Sequence, residues 1–167
     1  MRFAPAYPPI PAERKPQLNE LHDFTNLINP HLYFAYGSNL DPDQMAWRCP
    51  DAVGLCRARL DDWAWRIGGR GYATVSPAPG DHVWGAIWNV SDADLISLDR
   101  YEGVAGGLYR RETLTVSTDT RSIETLLYIE NYEDVGAPGG EYLRKILVGA
   151  EHFGLPGEWI GALAAWA

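Results

Sequence analysis

Basic residues are scarce in this sequence. Fourteen Lys and Arg stand against 22 Asp and Glu, for a formal net charge of −8. A nucleic-acid backbone is thereby excluded as the main partner, because its binders carry basic patches. A small anionic substrate is not excluded, since local backbone N–H groups bind a carboxylate whatever the global charge. Cysteine is scarcer still, with only Cys49 and Cys56. Two thiols make neither a disulfide framework nor a paired zinc motif, and as reduced thiols they fit a cytoplasmic protein. His22, His31, His82 and His152 stand at no metal-like spacing from one another or from the cysteines, so no metal is expected. No apolar run is long enough to cross a membrane. The N-terminus carries prolines where a signal peptide would carry an apolar stretch, so none is expected.

What the sequence does have is a core and many rings. Its 167 residues predict one domain, and 46% of them are hydrophobic. Seven Trp and nine Tyr are enough both to fill a core and to line a small-molecule pocket.

Residues 1–30 read as an extended N-terminal arm, because Pro5, Pro8, Pro9, Pro11 and Pro16 break any regular element. Leu18 to Ile28 reads as a short helix within it. The domain proper runs over 31–167. Leu32 to Tyr36 is a short apolar run, read as a buried strand ending at the turn Gly37-Ser38-Asn39. Asp41-Pro42 reads as N-cap and first residue of a helix reaching about Arg48. Strands are expected at Val53–Leu60 and Trp63–Ile67, on either side of Asp61-Asp62, and at Tyr72–Val75 before a turn at Pro77 to Gly80. Val83–Val90 reads as a strand buried on both faces. Ser91 and Asp94 form a capping-box pattern for a helix ending near Tyr101. Tyr109–Val116 and Ile123–Ile129 pair across Thr118–Arg121. A helix from Glu141 to about Phe153 places Leu143, Ile146, Leu147 and Ala150 on one face, with Gly154 as its C′ glycine. Leu155-Pro156 restarts the chain as a last helix to Trp166. Strands in the middle and helices flanking them predict an α+β fold with a curved, mostly antiparallel sheet.

Two places invite chemistry. At Tyr36-Gly37-Ser38-Asn39 a strand ends in a glycine turn just before a helix. Gly37 allows a ligand close approach, and successive N–H groups there suit a carboxylate or a developing oxyanion. On the motif alone, a plain β-turn capped by Ser or Asn is the preferred reading. Glu102, between Tyr101 and Gly103, is an acid at a helix C-terminus, where the macrodipole disfavours it. Local rules that fail often fail at functional sites. A carboxylate held among aromatics has a raised pKa and can act as a general base; alternatively, Glu102 is a solvated loop acid. Asp61-Asp62, Glu124, Glu130, Glu133-Asp134 and Glu151 read as solvated faces or turns. Arg57, Arg59, Arg66, Arg70, Arg110 and Arg111 read as surface pairing partners before anion ligands. Ser38 has no histidine base in its sequence surroundings, so a nucleophilic serine is unsupported.

Taken together the blocks resemble the γ-glutamylcyclotransferase family. Tyr33-Phe34-Ala35-Tyr36-Gly37-Ser38-Asn39-Leu40 matches the family's signature. Ala58-Arg59-Leu60, Pro79 to Gly85, Leu98 to Val104, Asn131-Tyr132-Glu133 and Gly154-Leu155-Pro156 follow in the family's order. The match spans roughly residues 32 to 163 and leaves out the arm. The resemblance implies a small, mostly antiparallel β-barrel with flanking α-helices. It assigns proton transfer to Glu102 and substrate binding to Tyr36, Gly37, Ser38 and Asn39, with Tyr109 and Tyr142 as pocket tyrosines. Tyr128 is set aside because its spacing to Asn131-Tyr132 is off by one. The implied reaction cyclises an L-γ-glutamyl-amino acid to 5-oxoproline and a free amino acid, with no metal or organic cofactor. The partner is then a small γ-glutamyl substrate, with no nucleic acid and no membrane. The resemblance leaves room for a homodimer. Two alternatives stay open: a γ-glutamylamine, glutathione or a secondary metabolite as substrate, or a protein that binds such a ligand without turning it over.

Overall fold

The computed structural model describes Phe24 and residues 26–167. The expected arm, and most of the helix expected from Leu18 to Ile28, lie outside the described residues. Within that stretch Phe24 is in a turn, and 26–28 are not helical. The end of the arm is pinned to the barrel: the Asn29 N–H donates to Asn89 Oδ1 at 2.9 Å, and Asn89 Nδ2 donates back to the Asn29 carbonyl at 2.8 Å.

The described residues form five strands and four α-helices. The strands are β1 (His31–Ala35), β2 (Val53–Ile67), β3 (Ala73–Val90), β4 (Tyr109–Ser117) and β5 (Ser122–Glu130). The helices are α1 (Pro42–Arg48), α2 (Asp92–Tyr101), α3 (Gly140–His152) and α4 (Gly157–Ala164). The strands close into a barrel in the order β1-β3-β2-β4-β5, antiparallel except where β1 meets β5 in parallel. The α+β barrel with flanking helices is therefore the fold observed.

Side chains alternate between two cores, as the period of two along a strand requires. Phe34, Tyr36, Val83, Ile87, Leu127 and Ile129 fill the barrel. Tyr33, Ala35, Ala86, Trp88, Val90 and Tyr128 face the other way, into a layer shared with Leu40, Met45, Leu98, Ile146 and Ala150. Both faces of β1 and of the end of β3 are thus buried, which is why these segments show no polar alternation.

Several local expectations change. β2 is one strand, not two: Asp62 adopts φ 65°, and a bulge between Asp61 and Trp63 absorbs it. The segment Pro77–Gly80 does not reverse the chain, because β3 runs through it. The register steps from Asp61↔His82 to Trp63↔Pro77, so Ala78 to Asp81 bulge out opposite Asp62 alone. The Gly80 N–H closes that bulge on Asp62 Oδ1 at 2.9 Å. The true reversal lies at Gly68 to Tyr72, where Gly71 takes φ 85°. The last helix stops at Ala164, two residues early.

Caps fall where expected. Asp41 caps α1 through the Asp43 N–H, and Ser91 and Asp94 make both bonds of the capping box on α2. Gly154 takes φ 63° after α3, where it and Leu155 bond the Glu151 and Ala150 carbonyls. No helix among the described residues is long and apolar enough to cross a membrane.

Candidate active site

One cavity of about 480 Å³ opens at an end of the barrel. Its lining includes all of Tyr36, Gly37, Ser38, Asn39, Glu102, Tyr109 and Tyr142. These residues come from four places. Tyr36 to Asn39 leave the end of β1 and enter a 3-10 turn, Ser38–Leu40; Glu102 caps the C-terminus of α2. Tyr109 opens β4, and Tyr142 lies in the first turn of α3.

The loop is tightly set. The Leu40 and Asp41 N–H groups close it on the carbonyls of Gly37 and Ser38, at 3.0 Å each. No backbone carbonyl among the described residues accepts the N–H of Gly37, Ser38 or Asn39. Gly37 has φ −117°, so its backbone alone does not require glycine. Close approach favours it: a Cβ there would stand 3.0 Å from the Tyr142 hydroxyl and 3.3 Å from Ala73 Cβ, so one of them would have to give way by a few tenths of an ångström. From behind, α3 supports the loop, with Gly149 packed so closely on the Leu40 backbone that any Cβ would overlap it.

Asn39 joins the parts. Its Nδ2 donates to Glu102 Oε1 at 3.3 Å and to the Tyr33 hydroxyl at 3.0 Å. Its Oδ1 accepts from Gln44 Nε2 and Arg48 Nη1, both at 3.0 Å. Arg48 can only donate and an ionised Glu102 can only accept, so the amide has one workable orientation. The chain extends to the rim, where Lys145 Nζ donates to Gln44 Oε1 at 3.2 Å. Ser38 Oγ accepts from Gln44 Nε2 at 2.8 Å, and no histidine lines the cavity.

Glu102 is only partly exposed and lines this cavity. Burial pushes its carboxyl up to about 7, against the downward pull of Arg48, of Arg70 and of the Asn39 hydrogen bond. Its Oε2 makes no hydrogen bond to the described residues and is left to the cavity.

Seven tyrosines line the cavity. Burial raises the phenols of Tyr33, Tyr36, Tyr109, Tyr128 and Tyr142, the last to about 12, so all five are neutral donors or acceptors in working conditions. Tyr36 donates to the Tyr128 carbonyl, and Tyr109 donates to the Ala73 carbonyl at 3.0 Å. Tyr142 accepts the Ala73 N–H at 2.9 Å, and its hydroxyl also meets the backbone N–H and side chain of Ser38.

The sequence reading missed several residues. Tyr128, set aside on spacing, lines the cavity, but its hydroxyl turns to Asp99 Oδ1 at 2.8 Å. Asp99 also pairs with Arg111; burial works to raise this carboxyl, and the hydrogen bonds from Arg111 and Tyr128 outweigh it. Arg48, Gln44 and Lys145 carry no signal, since a basic last turn and a polar helix face are ordinary, and Tyr33, though it opens the signature block, reads only as part of a buried strand. Arg70 did have one, an arginine set among Gly68, Gly69 and Gly71. It lines the cavity instead of serving surface pairing alone. Glu130 was read as solvated and is buried: β5 is clamped at its end by the β2–β3 turn, and the carboxylate meets Arg70 Nε at 3.1 Å.

A partly buried carboxylate of raised pKa beside a loop whose N–H groups bond no backbone carbonyl is equipped for acid–base chemistry on an acyl group. Comparison with known proteins gives the same class. The sequence profile of the family described as "Gamma-glutamyl cyclotransferase, AIG2-like" matches residues 33–144. A Bos taurus γ-glutamylcyclotransferase is 40% identical over 140 residues, 77% of this chain and 74% of its own. The Homo sapiens γ-glutamylcyclotransferase is 36% identical over 145 residues, 80% of this chain and 77% of its own. A solved structure of a γ-glutamyl cyclotransferase superposes with a TM-score of 0.77 at 35% identity, covering 81% of this chain and 86% of that one. The chain belongs to the γ-glutamyl cyclotransferase family.

Proposed function

We propose that the protein is a γ-glutamylcyclotransferase that converts an L-γ-glutamyl-amino acid to 5-oxoproline and a free amino acid. The observation that carries this reading is Glu102: one partly buried carboxylate facing the cavity, held by Asn39 to the loop that follows β1.

The nucleophile is the substrate's own α-amine and the electrophile its γ-carbonyl, so the enzyme's first task is to fold the substrate into attack geometry. Well-oriented internal nucleophiles reach effective molarities of ~10⁵ M and above. The α-amine arrives protonated. Glu102, with a pKa near 7, is ionised enough at neutral pH to take that proton, and basic enough to take it readily. The freed amine closes a five-membered ring on the carbonyl. The N–H groups of the Gly37–Asn39 loop serve the resulting oxyanion, the α-carboxylate or both. Glu102 then returns its proton to the leaving nitrogen as the old C–N bond breaks. A second proton lost by the ring nitrogen balances the second gained by the released amine. Tyr142 and Tyr109 shape the wall beside the loop.

This route needs no metal or organic cofactor, because each step is a proton transfer or an acyl transfer within one substrate. Two free thiols support a cytoplasmic setting. The test is 5-oxoproline release from γ-glutamyl-alanine, with Glu102→Gln alongside. Release by wild type and not by the variant is expected; substantial turnover by Glu102→Gln would remove the carboxylate from its role.

A further inference from the structure

We propose that Arg70, held by Glu130, binds the carboxylate of the amino acid released, and so selects γ-glutamyl-amino acids over γ-glutamylamines. The proposal rests on the cyclotransferase reading and names the substrate class that this site prefers.

Arg70 stands in the turn Gly68 to Tyr72, between β2 and β3, and reaches the cavity. Its Nε is taken by Glu130 Oε1, while its two Nη groups make no hydrogen bond to the described residues. Its guanidinium stands 5.4 Å from the centre of the Tyr109 ring and 5.9 Å from that of Tyr72. Such an arginine is oriented at one end and free at the other, as a carboxylate receptor must be.

The support is costly. The Glu130 side chain is 1% exposed against 35% for Arg70, and Glu130 Oε2 is buried with no partner. Gly68 leaves the room: a Cβ there would overlap Glu130 Oε2. A buried, half-satisfied carboxylate is a poor way to stabilise a fold, and an apolar contact would do better. Its presence is explained if the gain is an aimed guanidinium.

Charge fixes which substrate group Arg70 meets. A γ-glutamyl-amino acid carries one ammonium and two carboxylates, one on the γ-glutamyl α-carbon and one on the departing residue. Arg48 and Arg70 line the same cavity from different walls, with Glu102 also facing it. Arg48 hangs from α1 against Tyr101 and shares Asn39 with Glu102. The α-carboxylate is on the same carbon as the ammonium that Glu102 must reach, so it belongs on the Asn39–Arg48 side. Lys145, the third cation of the lining, donates to Gln44 on α1, the helix that carries Arg48; Arg70, against Tyr109, is left for the second carboxylate.

The experiment compares kcat/KM for γ-glutamyl-alanine and γ-glutamylethylamide, which is the same molecule without that carboxylate. Wild type, Arg70→Gln, Arg70→Lys and Glu130→Gln are measured, with thermal melts confirming folding. Wild type is expected to prefer γ-glutamyl-alanine by about 10- to 100-fold, the worth of a charged hydrogen-bonded pair. Arg70→Gln should lose most of that factor through KM for γ-glutamyl-alanine, and lose far less on the ethylamide. Arg70→Lys should restore part of the preference, and Glu130→Gln should lower it. Equal losses on both substrates, or no preference in wild type, would overturn the inference and leave the cyclotransferase reading standing. Failure of wild type to release 5-oxoproline from either compound would overturn both.

Discussion

Glu102→Gln should make the protein more stable as well as inactive, and the gain should depend on pH. The folded state raises the Glu102 carboxyl from 4.5 to about 7, chiefly through burial. The native state therefore binds this proton more tightly than the unfolded chain does. Below about 4.5 the group is protonated in both states and costs nothing. As pH rises toward 7 the unfolded state ionises first, and stability is lost across that window. Above 7 the full difference applies. At ~1.4 kcal/mol per unit it comes to about 3 kcal/mol, or roughly 1–3 kcal/mol once water in the open cavity is allowed for. Glutamine keeps the acceptor for Asn39 Nδ2 and carries no charge to bury. In a domain of this size ~1 kcal/mol moves Tm by about 2–4 °C. The variant should thus melt several degrees above wild type at pH 8 and close to it at pH 4.5. Calorimetric or dye-based melts of both proteins at the two pH values provide the assay, with turnover expected to fall by ~10²–10⁴-fold. A variant that melts at or below wild type at pH 8, or a difference independent of pH, would refute the claim that burial of this carboxylate sets its pKa.

The same group should govern the rate. kcat/KM should fall on the acid side with unit slope and a midpoint near 7, as Glu102 gains its proton. Because Arg48 is the leading influence that pulls this carboxyl down, Arg48→Met should move that midpoint upward, and an unmoved midpoint would disconnect the two. Gly37→Val should crowd the Tyr142 hydroxyl and Ala73, displacing the loop and lowering kcat/KM by on the order of 10²-fold, with KM raised; an unchanged KM would count against the loop as a binding element. Gly149→Ala should cost about 1–3 kcal/mol in a denaturant melt, because its methyl would meet the Leu40 backbone; a neutral result would mean that α3 can shift away from the loop freely. The substrate preference expected of Arg70 is tested as described above.

Much of the frame was legible in the sequence because its signals are local. The Asp41 cap, the Ser91–Asp94 box and the Gly154 stop each depend on a few adjacent residues. What could not be read were properties of pairing. Pro77 to Gly80 carries the composition of a turn, yet its conformation is decided by the partner strand, which offers Asp62 alone against four residues. Barrel closure by a parallel β1–β5 contact joins segments almost a hundred residues apart, and only the family resemblance pointed to it. Glu130 looked like any strand-end acid until the β2–β3 turn was folded over it.

The site shows the same division at the level of energy. The sequence puts a carboxylate at the C-cap of α2, where helix dipole and burial both oppose its charge. Taken alone, these would raise the Glu102 carboxyl further. Arg48 from α1, Arg70 from the β2–β3 turn and the Asn39 amide each pull the other way, and the outcome lies near 7. None of the three is next to Glu102 in sequence, and each is placed by a different element. A helix-ending acid thus becomes a proton carrier through the balance among contributions that the fold assembles. Substitutions at Arg48 or Asn39, which need not touch the reacting bond, should therefore retune the chemistry by shifting that balance while the carboxylate itself stays in place.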